Sequence, residues 1–76
     1  MSRDGKLVMM ANQIGKFFAA GGEARAVPEI ADHLRKFWAP RMREEIVAHL
    51  HAGGAGLDPL PRKAVELLAA EMPRAA

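Results

Sequence analysis

The stretch that decides the fold covers residues 27–50 and reads VPEIADHLRKFWAPRMREEIVAHL. Over residues 27–38, apolar residues recur at spacings of three and four, which predicts a helix with one apolar face. Pro40 then ends that helix, because the residue before a proline avoids the α-helical region. A second helix is predicted from residue 40 or 41 to about residue 52. Only one or two residues separate the two helices, so the chain turns a tight corner between them.

The apolar faces of these two helices follow from the same spacing. The first face comprises Val27, Ile30, Ala31, Leu34 and Phe37. The second comprises Met42, Ile46, His49 and Leu50, with Val47 beside them. Pro28 suits the first turn of the first helix, where a missing N–H leaves no hydrogen bond unmade.

Two further helices are predicted, one before and one after this pair. Residues 4–20 form one of them, with Asp4 as its N-cap and Gly21 as its stop. Residues 58–72 form the other, because Asp58 followed by a proline is a strong start signal and Pro73 ends the pattern. Their apolar faces comprise Leu7, Met10, Ile14, Phe17 and Phe18 in the first and Leu60, Ala64, Leu67 and Leu68, broadened by Val65, in the last.

Glycines mark two positions that need an explanation. Gly15 lies inside the first predicted helix, where glycine costs ~1 kcal/mol relative to alanine. Either another backbone approaches closely there or the position is a tolerated weak spot, and the second interpretation is favoured. The GGAG run at residues 53–56 lacks the Lys-Ser/Thr pair of a phosphate loop, and no strand precedes it. We therefore expect a helix stop and a flexible hinge.

Composition supports an all-helical chain. Half of the 76 residues are apolar. Alanine is abundant, β-branched residues are few and threonine is absent, which favours helix over sheet. We predict one all-α domain over residues 1–76, a bundle of about four short helices, with residues 74–76 frayed. A core of this size rarely supplies more than ~3–5 kcal/mol.

Composition also excludes several functions. The chain has no cysteine, threonine or tyrosine, and its only serine is Ser2, so a hydroxyl or thiol nucleophile is nearly ruled out. A net charge of +2 is too small to indicate a polyanionic partner. We find neither the apolar run of a secretory signal nor an apolar stretch long enough to span a membrane. A cytoplasmic protein with no membrane partner is expected, and an enzyme acting alone is not.

Histidines and carboxylates do not have the spacing of a catalytic or metal site. His49 and His51 point about 200° apart around a helix, so they cannot face one metal ion. His33 approaches them only through tertiary folding. Glu44 and Glu45 are adjacent and point in different directions, as on a solvated helix face. We predict no catalytic, cofactor-binding or metal-binding residues in this chain.

The densest signal is the aromatic and basic segment HLRKFWAPRMR at residues 33–43. Phe37 and Trp38 are consecutive, so either one is buried and one is offered to a partner, or the corner at Pro40 allows both to be buried. The basic residues form either a solvated rim or a phosphate-binding patch. A helix-turn-helix function is disfavoured, because Glu44 and Glu45 stand where contacts to DNA bases would lie.

Four stretches of the chain have a recognisable order. They are LVMMANQIGKFF at residues 7–18, IADHLRKFW at 30–38, PRMR at 40–43 and GGAGLDPL at 53–60. This order resembles the delta subunit of soluble NAD-dependent, molybdenum-containing formate dehydrogenase. The resemblance covers about residues 6–68 and is most specific over residues 37–43, where Ala39 replaces a residue that is often more polar.

The resemblance implies a non-catalytic accessory subunit of a formate dehydrogenase complex. In such a complex the large catalytic subunit carries the bis-molybdopterin guanine dinucleotide centre and iron–sulfur clusters, while other subunits carry FMN and bind NAD. The small subunit would support assembly, stability or molybdenum-cofactor loading of the large subunit, and would bind no cofactor itself. The alternatives are a transient chaperone of the immature large subunit, absent from the mature enzyme, and a small helical nucleic-acid-binding protein.

A partner interface is predicted around the helix corner, because tryptophan and arginine dominate interface energetics. Trp38 would anchor in a pocket of the partner. Arg41 and Arg43 would pair with carboxylates or with the phosphates of a pterin dinucleotide. The predicted interface residues are Phe37, Trp38, Pro40, Arg41, Met42, Arg43, Arg35, Lys36, Lys16, Phe17 and Phe18.

Overall fold

Four α-helices make up most of the chain in the computed structural model, which describes residues 3–72. They are α1 (Arg3–Phe18), α2 (Glu23–Phe37), α3 (Pro40–His51) and α4 (Pro59–Glu71). A single 3₁₀ turn, Ala19–Gly21, follows α1, and residues 3–72 contain no strand. The predicted all-α class with four short helices is confirmed. The predicted stop at Pro73 and the frayed end at 74–76 lie outside the described residues.

The core forms where all four helices meet. α2 packs along α4, α1 contacts the other three helices, and α3 packs against α1 and α4. Fully buried side chains come from each of α2, α3 and α4: Ile30, Leu34, Ile46 and Val65. Burying a side chain of this size contributes about 1.5–3 kcal/mol, so these few residues carry much of the stability of a small chain.

Three of the predicted apolar faces are wrong at one edge. Phe17, Phe37 and Leu67 were assigned to the core and are exposed instead. Each helical position is rotated by about 100° from the next, so a residue at the edge of an apolar stripe can turn either way. In α4 the buried residues are Pro61, Ala64, Val65 and Leu68, which follow the helical spacing and leave Leu67 outside.

One predicted helix start and one predicted N-cap are also wrong. α2 begins four residues early, because Gly22 adopts φ 85° and its carbonyl accepts hydrogen bonds from the N–H groups of Arg25 and Ala26. Pro28 therefore lies in the second turn of α2. Asp4 lies within α1 and is not its N-cap. The predicted stop at Gly21 falls in the 3₁₀ turn, and the reversal of the chain is made by Gly22, whose positive φ suits glycine.

The corner between α2 and α3 is confirmed. Trp38 and Ala39 are extended, and Pro40 occupies the first position of α3. Proline fits that position because the first N–H of a helix has no acceptor within the helix.

Glycine at position 15 is explained by a close contact with α4, and not by the favoured interpretation of a tolerated weak spot. A Cβ atom at this position would lie 2.8 Å from Cδ and 3.2 Å from Cγ of Pro61. The absence of a side chain thus lets α1 and α4 approach, and the close neighbour is a side chain, not a backbone. The interpretation of Gly15 as a tolerated weak spot is wrong.

The glycine-rich connection between α3 and α4 is held from three sides. Three of its carbonyls accept side-chain hydrogen bonds, Gly53 from Arg62 (3.0 Å), Gly56 from Asn12 (2.9 Å) and Ala55 from His49 (2.8 Å). Gly54 is buried and adopts φ 67°. The predicted helix stop is confirmed, since α3 ends at His51. The flexible hinge stays a prediction, and the three bound carbonyls oppose it because they hold the connection to helix side chains.

Asn12 also determines how α4 begins. Asp58 occupies the predicted N-cap position, but its side chain makes no capping hydrogen bond. Its backbone N–H instead donates to Oδ1 of Asn12 (2.9 Å). Asn12 therefore binds both Gly56, the last glycine of the loop, and Asp58, the residue directly before α4. The sequence analysis did not single out this residue, since a polar residue beside an apolar stripe is usually solvated.

Candidate partner interface

An exposed aromatic cluster lies where the last turn of α1 meets the end of α2. The Phe17 and Phe18 rings are 5.1 Å apart and edge-to-face, and the Phe18 and His33 rings are 6.0 Å apart. The His33 and Phe37 rings follow at 4.8 Å. Four aromatic residues from two helices thus form one connected row, which we call the aromatic row. Contacts of this type hold rings in a fixed arrangement.

The aromatic row borders a shallow groove of about 400 Å³ between α1 and α2. Apolar and aromatic side chains dominate its lining, which comprises Met10, Gln13, Ile14, Phe17, Phe18, His33, Phe37 and Trp38. Phe17 and Phe37 stand at its edge and are 80% and 72% exposed. Met9, one position from Met10 on α1, is 54% exposed. Contiguous large apolar side chains on the surface of a soluble chain mark an interaction site.

Trp38 does not act as the predicted anchor in this conformation. It is 5% exposed and packs with the core, so its ring already fills a pocket of its own chain. Phe37 is the residue that points outward. Of these two consecutive aromatic residues, the structure buries one and exposes the other. Trp38, predicted to anchor in a partner, is buried, and Phe37, assigned to the apolar face of its helix, is exposed.

Two of the cationic residues predicted for the interface, Arg35 and Arg43, form contacts inside the fold. Arg35 forms a two-pronged ion pair with Glu71 (3.0 and 2.8 Å) that ties α2 to α4. Nη1 of Arg43 donates to the carbonyls of Arg35 (3.0 Å) and Trp38 (2.6 Å) at the end of α2. These carbonyls have no N–H partner within the helix, so Arg43 caps it. The role predicted for Arg43, pairing with an external phosphate or carboxylate, would require it to leave these carbonyls.

Lys36 is also paired. Its Nζ lies 2.9 Å from the Asp32 carboxylate, and Arg35 approaches the same carboxylate at 3.2 Å. The hydrogen bond from Lys36, helped by the charges of Lys36 and Arg35, lowers the pKa of Asp32 below its ordinary value of 3.8. With Arg35, Lys36 and Arg43 engaged, the phosphate patch considered for this segment is reduced to Arg41. A nucleic-acid interface is not favoured by this arrangement.

The remaining predicted interface residues fall into two groups. The structure brings Phe17 and Phe18 together with Phe37 along the groove, while Lys16, next to Phe17 in the sequence, is exposed and does not line it. Pro40, Arg41 and Met42 lie at the start of α3 and do not line the groove. The groove residues that the sequence analysis did not predict are Met10, Gln13, Ile14 and His33. Only the junction of α1 with α2 places them beside Phe37.

The histidines have separate surroundings. His49 lies between the loop carbonyl of Ala55 and the Asp4 carboxylate, 3.7 Å from its Nδ1. Because a carbonyl only accepts, Nε2 of His49 is the donating nitrogen in that contact. His33 belongs to the aromatic row. Within residues 3–72 no three histidine or acidic side chains group closely enough to hold a metal ion.

Family comparison identifies the chain over most of its length. The sequence model of the family described as FdsD, the NADH-dependent formate dehydrogenase delta subunit, matches residues 6–65. The chain belongs to the FdsD family. No curated protein and no solved structure matches it.

The FdsD match covers both features that distinguish the fold. It spans the aromatic row at the junction of α1 and α2, and it spans the bound glycine-rich loop before α4. A formate dehydrogenase delta subunit belongs to a complex with other subunits, so this chain is an accessory subunit with partners. No helix among residues 3–72 has the length and apolar character needed to cross a membrane.

Proposed function

We propose that this FdsD chain binds the large catalytic subunit of a molybdenum-containing, NAD-dependent formate dehydrogenase. There it supports assembly, stability or molybdenum-cofactor loading. The observation that carries the proposal is the aromatic row, in which Phe17 and Phe37 are exposed on a member of a family of enzyme subunits. A partner that covers this surface would stabilise the folded chain by mass action.

The use of the polar side chains supports a binding function without chemistry. The polar contacts described above serve the fold: Asn12 and Arg62 hold the loop, Arg43 caps α2, and Arg35 joins α2 to α4. A catalytic group instead needs a positioned acid, base or nucleophile at a site where substrate binds. The proposed activity therefore belongs to the complex.

The cofactors of the complex fit other subunits better than this chain. Iron–sulfur clusters are held by cysteine thiolates, and the chain has no cysteine. The proposed distribution places the bis-molybdopterin guanine dinucleotide and the clusters on the large subunit and FMN on another. The contribution of this chain is then to hold or guide the large subunit while those groups are bound.

A tagged chain expressed in the native host tests the proposal. Affinity capture, size exclusion and mass spectrometry would identify what elutes with it, and metal analysis would give the molybdenum content. Stable co-elution with a molybdenum- and iron-containing catalytic subunit is expected for a resident subunit. Recovery only with a molybdenum-free catalytic subunit would replace this with the transient chaperone. Recovery alone or with nucleic acid would contradict both.

Deletion of the chain separates the possible contributions. If it acts in cofactor loading, the catalytic subunit accumulates with less molybdenum. If it acts in stability, the catalytic subunit is fully loaded but dissociates or melts earlier. A host lacking the chain whose formate dehydrogenase has unchanged molybdenum content, melting temperature and activity would refute a supporting role.

A further inference from the structure

We infer that the groove between α1 and α2 receives an apolar side chain of a partner subunit, and that carboxylates surround that side chain on the partner. This inference rests on the proposed function and specifies the contact surface and its chemistry. The apolar part follows from the groove itself, which is bordered by Phe17 and Phe37 and has Trp38 in its wall. Aromatic walls fixed by neighbouring rings lose little conformational freedom when a partner binds.

The acidic part follows from the charges beside the groove. Lys6, Met9, Gln13, Lys16 and Phe17 follow one another along α1 at helical spacing and are all exposed. Gln13 and Phe17 line the groove, and Lys6, Met9 and Lys16 each lie three or four residues from a lining residue, so they form a strip beside it. Neither Lys6 nor Lys16 makes an ion pair with any residue in the part of the chain that the structure describes. Unpaired cations beside an apolar surface favour a partner with carboxylates at its rim.

On the α2 side, the acidic residues are already neutralised. Asp32 is bound by Lys36 and Arg35, and Glu29 lies 3.7 Å from Arg25. No carboxylate of this side therefore compensates Lys6 and Lys16. The groove edge presents net positive charge to whatever approaches it.

The same charges disfavour a second copy of this chain as the occupant. A two-fold dimer would place the same patch on both sides of the interface. Lys16 and Lys6 would then face the lysines of the other copy, and like charges in an interface oppose binding. A partner with the opposite charge has no such cost.

The larger groove between α3 and α4 does not have these properties. It measures about 1080 Å³ and carries both signs of charge, from Glu44, Arg62 and Glu66. None of its lining residues is aromatic apart from His51. Of these two grooves, the α1–α2 groove is the one that combines aromatic walls with unpaired cations beside it.

The test measures how much chain stays with the tagged catalytic subunit purified from the native host, by quantitative mass spectrometry. The double variant Phe17→Ala/Phe37→Ala should lower the retained chain about tenfold or more. Leu67→Ala removes an exposed apolar side chain of α4 outside the groove and should leave retention unchanged. Lys16→Glu should lower retention several-fold, Lys16→Arg should not, and added salt should reduce the difference between them.

Each outcome has a distinct meaning. Failure of the wild-type chain to co-purify refutes the proposed function. Wild-type co-purification with undiminished retention of Phe17→Ala/Phe37→Ala overturns the groove while the proposed function stands. Equal retention of Lys16→Glu and Lys16→Arg overturns the acidic rim. An isolated wild-type chain that is dimeric, and monomeric as Phe17→Ala/Phe37→Ala, would assign the groove to a second copy. Unchanged circular dichroism melting of each variant establishes that the fold is intact.

Discussion

The middle of α1 and its last turn serve different purposes. In the middle, Asn12 binds the glycine-rich loop and Val8 is buried in the core, where a Cβ on Gly56 would lie 3.3 Å from it. In the last turn, Phe17 is almost fully exposed. One stretch of the helix thus holds the fold together, while Phe17 in its last turn presents a large apolar ring at the surface. Large apolar residues in a small chain need not be its core, because the helix can direct them outward.

The largest expected effect tests the same contrast between buried and exposed side chains at the α2–α3 corner, where Trp38 is buried and Phe37 is exposed. Trp38→Ala should lower the free energy of unfolding by about 3–5 kcal/mol, since it removes a buried ring and leaves a cavity. A loss of that size is comparable to the whole stability of a small domain. Phe37→Ala, at the exposed neighbour, should change it by less than about 0.5 kcal/mol. Urea unfolding followed by circular dichroism measures both, and equal losses would show that Phe37 is part of the core.

The second prediction concerns Asn12, the residue in the middle of α1 that binds the glycine-rich loop. Asn12→Ala should lower the free energy of unfolding by about 1–3 kcal/mol, because it leaves the Gly56 carbonyl and the Asp58 N–H without their partner. Gln13→Ala, which removes the exposed amide at the next position of α1, is the matched control and should have little effect. Amide hydrogen exchange at residues 53–58 should accelerate in Asn12→Ala alone. Unchanged exchange there would mean that the loop is held without Asn12.

The third prediction tests the close approach of α1 to α4. Gly15→Ala should destabilise the chain by about 1–2 kcal/mol, because overpacking against the rigid ring of Pro61 outweighs the ~1 kcal/mol gain in helix propensity. Combining it with Pro61→Ala should recover part of the loss, giving a coupling energy in a double-mutant cycle. A more stable Gly15→Ala variant would restore the interpretation of Gly15 as a weak spot.

The smallest effect is expected for the ion pairs of α2 beside the aromatic row. Since the pKa of Asp32 is lowered in the folded chain, its contribution to stability is present above the ordinary value of 3.8 and is lost as the pH falls through the folded pKa. Wild type should therefore melt slightly above Asp32→Asn at neutral pH, and the difference should vanish in acid. Salt should also reduce it, as for exposed ion pairs. A difference that grows in acid would show that the sign is wrong.

The helices and the corner could be predicted from the sequence, and the register of their faces could not. The pair at residues 27–50 was recognisable because apolar spacing and Pro40 act locally. Phe17, Phe37 and Leu67 lie at the edges of stripes, where one rotation of about 100° decides between core and solvent. That rotation depends on the neighbouring helix, which a single stripe does not describe.

The candidate site was predicted in composition and not in arrangement. Phe17, Phe18, Phe37 and Lys16 were named, and the structure brings the three phenylalanines together, with Lys16 next to Phe17 in the sequence. Arg35, Lys36 and Arg43 were named with them, yet their partners, Glu71, Asp32 and the end carbonyls of α2, engage them within the fold. The sequence gives the charge of a residue but not its partner. It therefore does not distinguish a cation that pairs within the fold from one that is free to pair with another molecule.

By itself, the sequence determined the helical class, the four segments, the corner at Pro40 and the likeness to formate dehydrogenase delta subunits, because each depends on local spacing and residue type. Only the tertiary structure decided that Trp38 is buried and Phe37 exposed, that Gly15 receives Pro61 and that Asn12 binds the loop. Those outcomes depend on contacts between residues far apart in the chain. Their free energies arise only when packing brings the helices together.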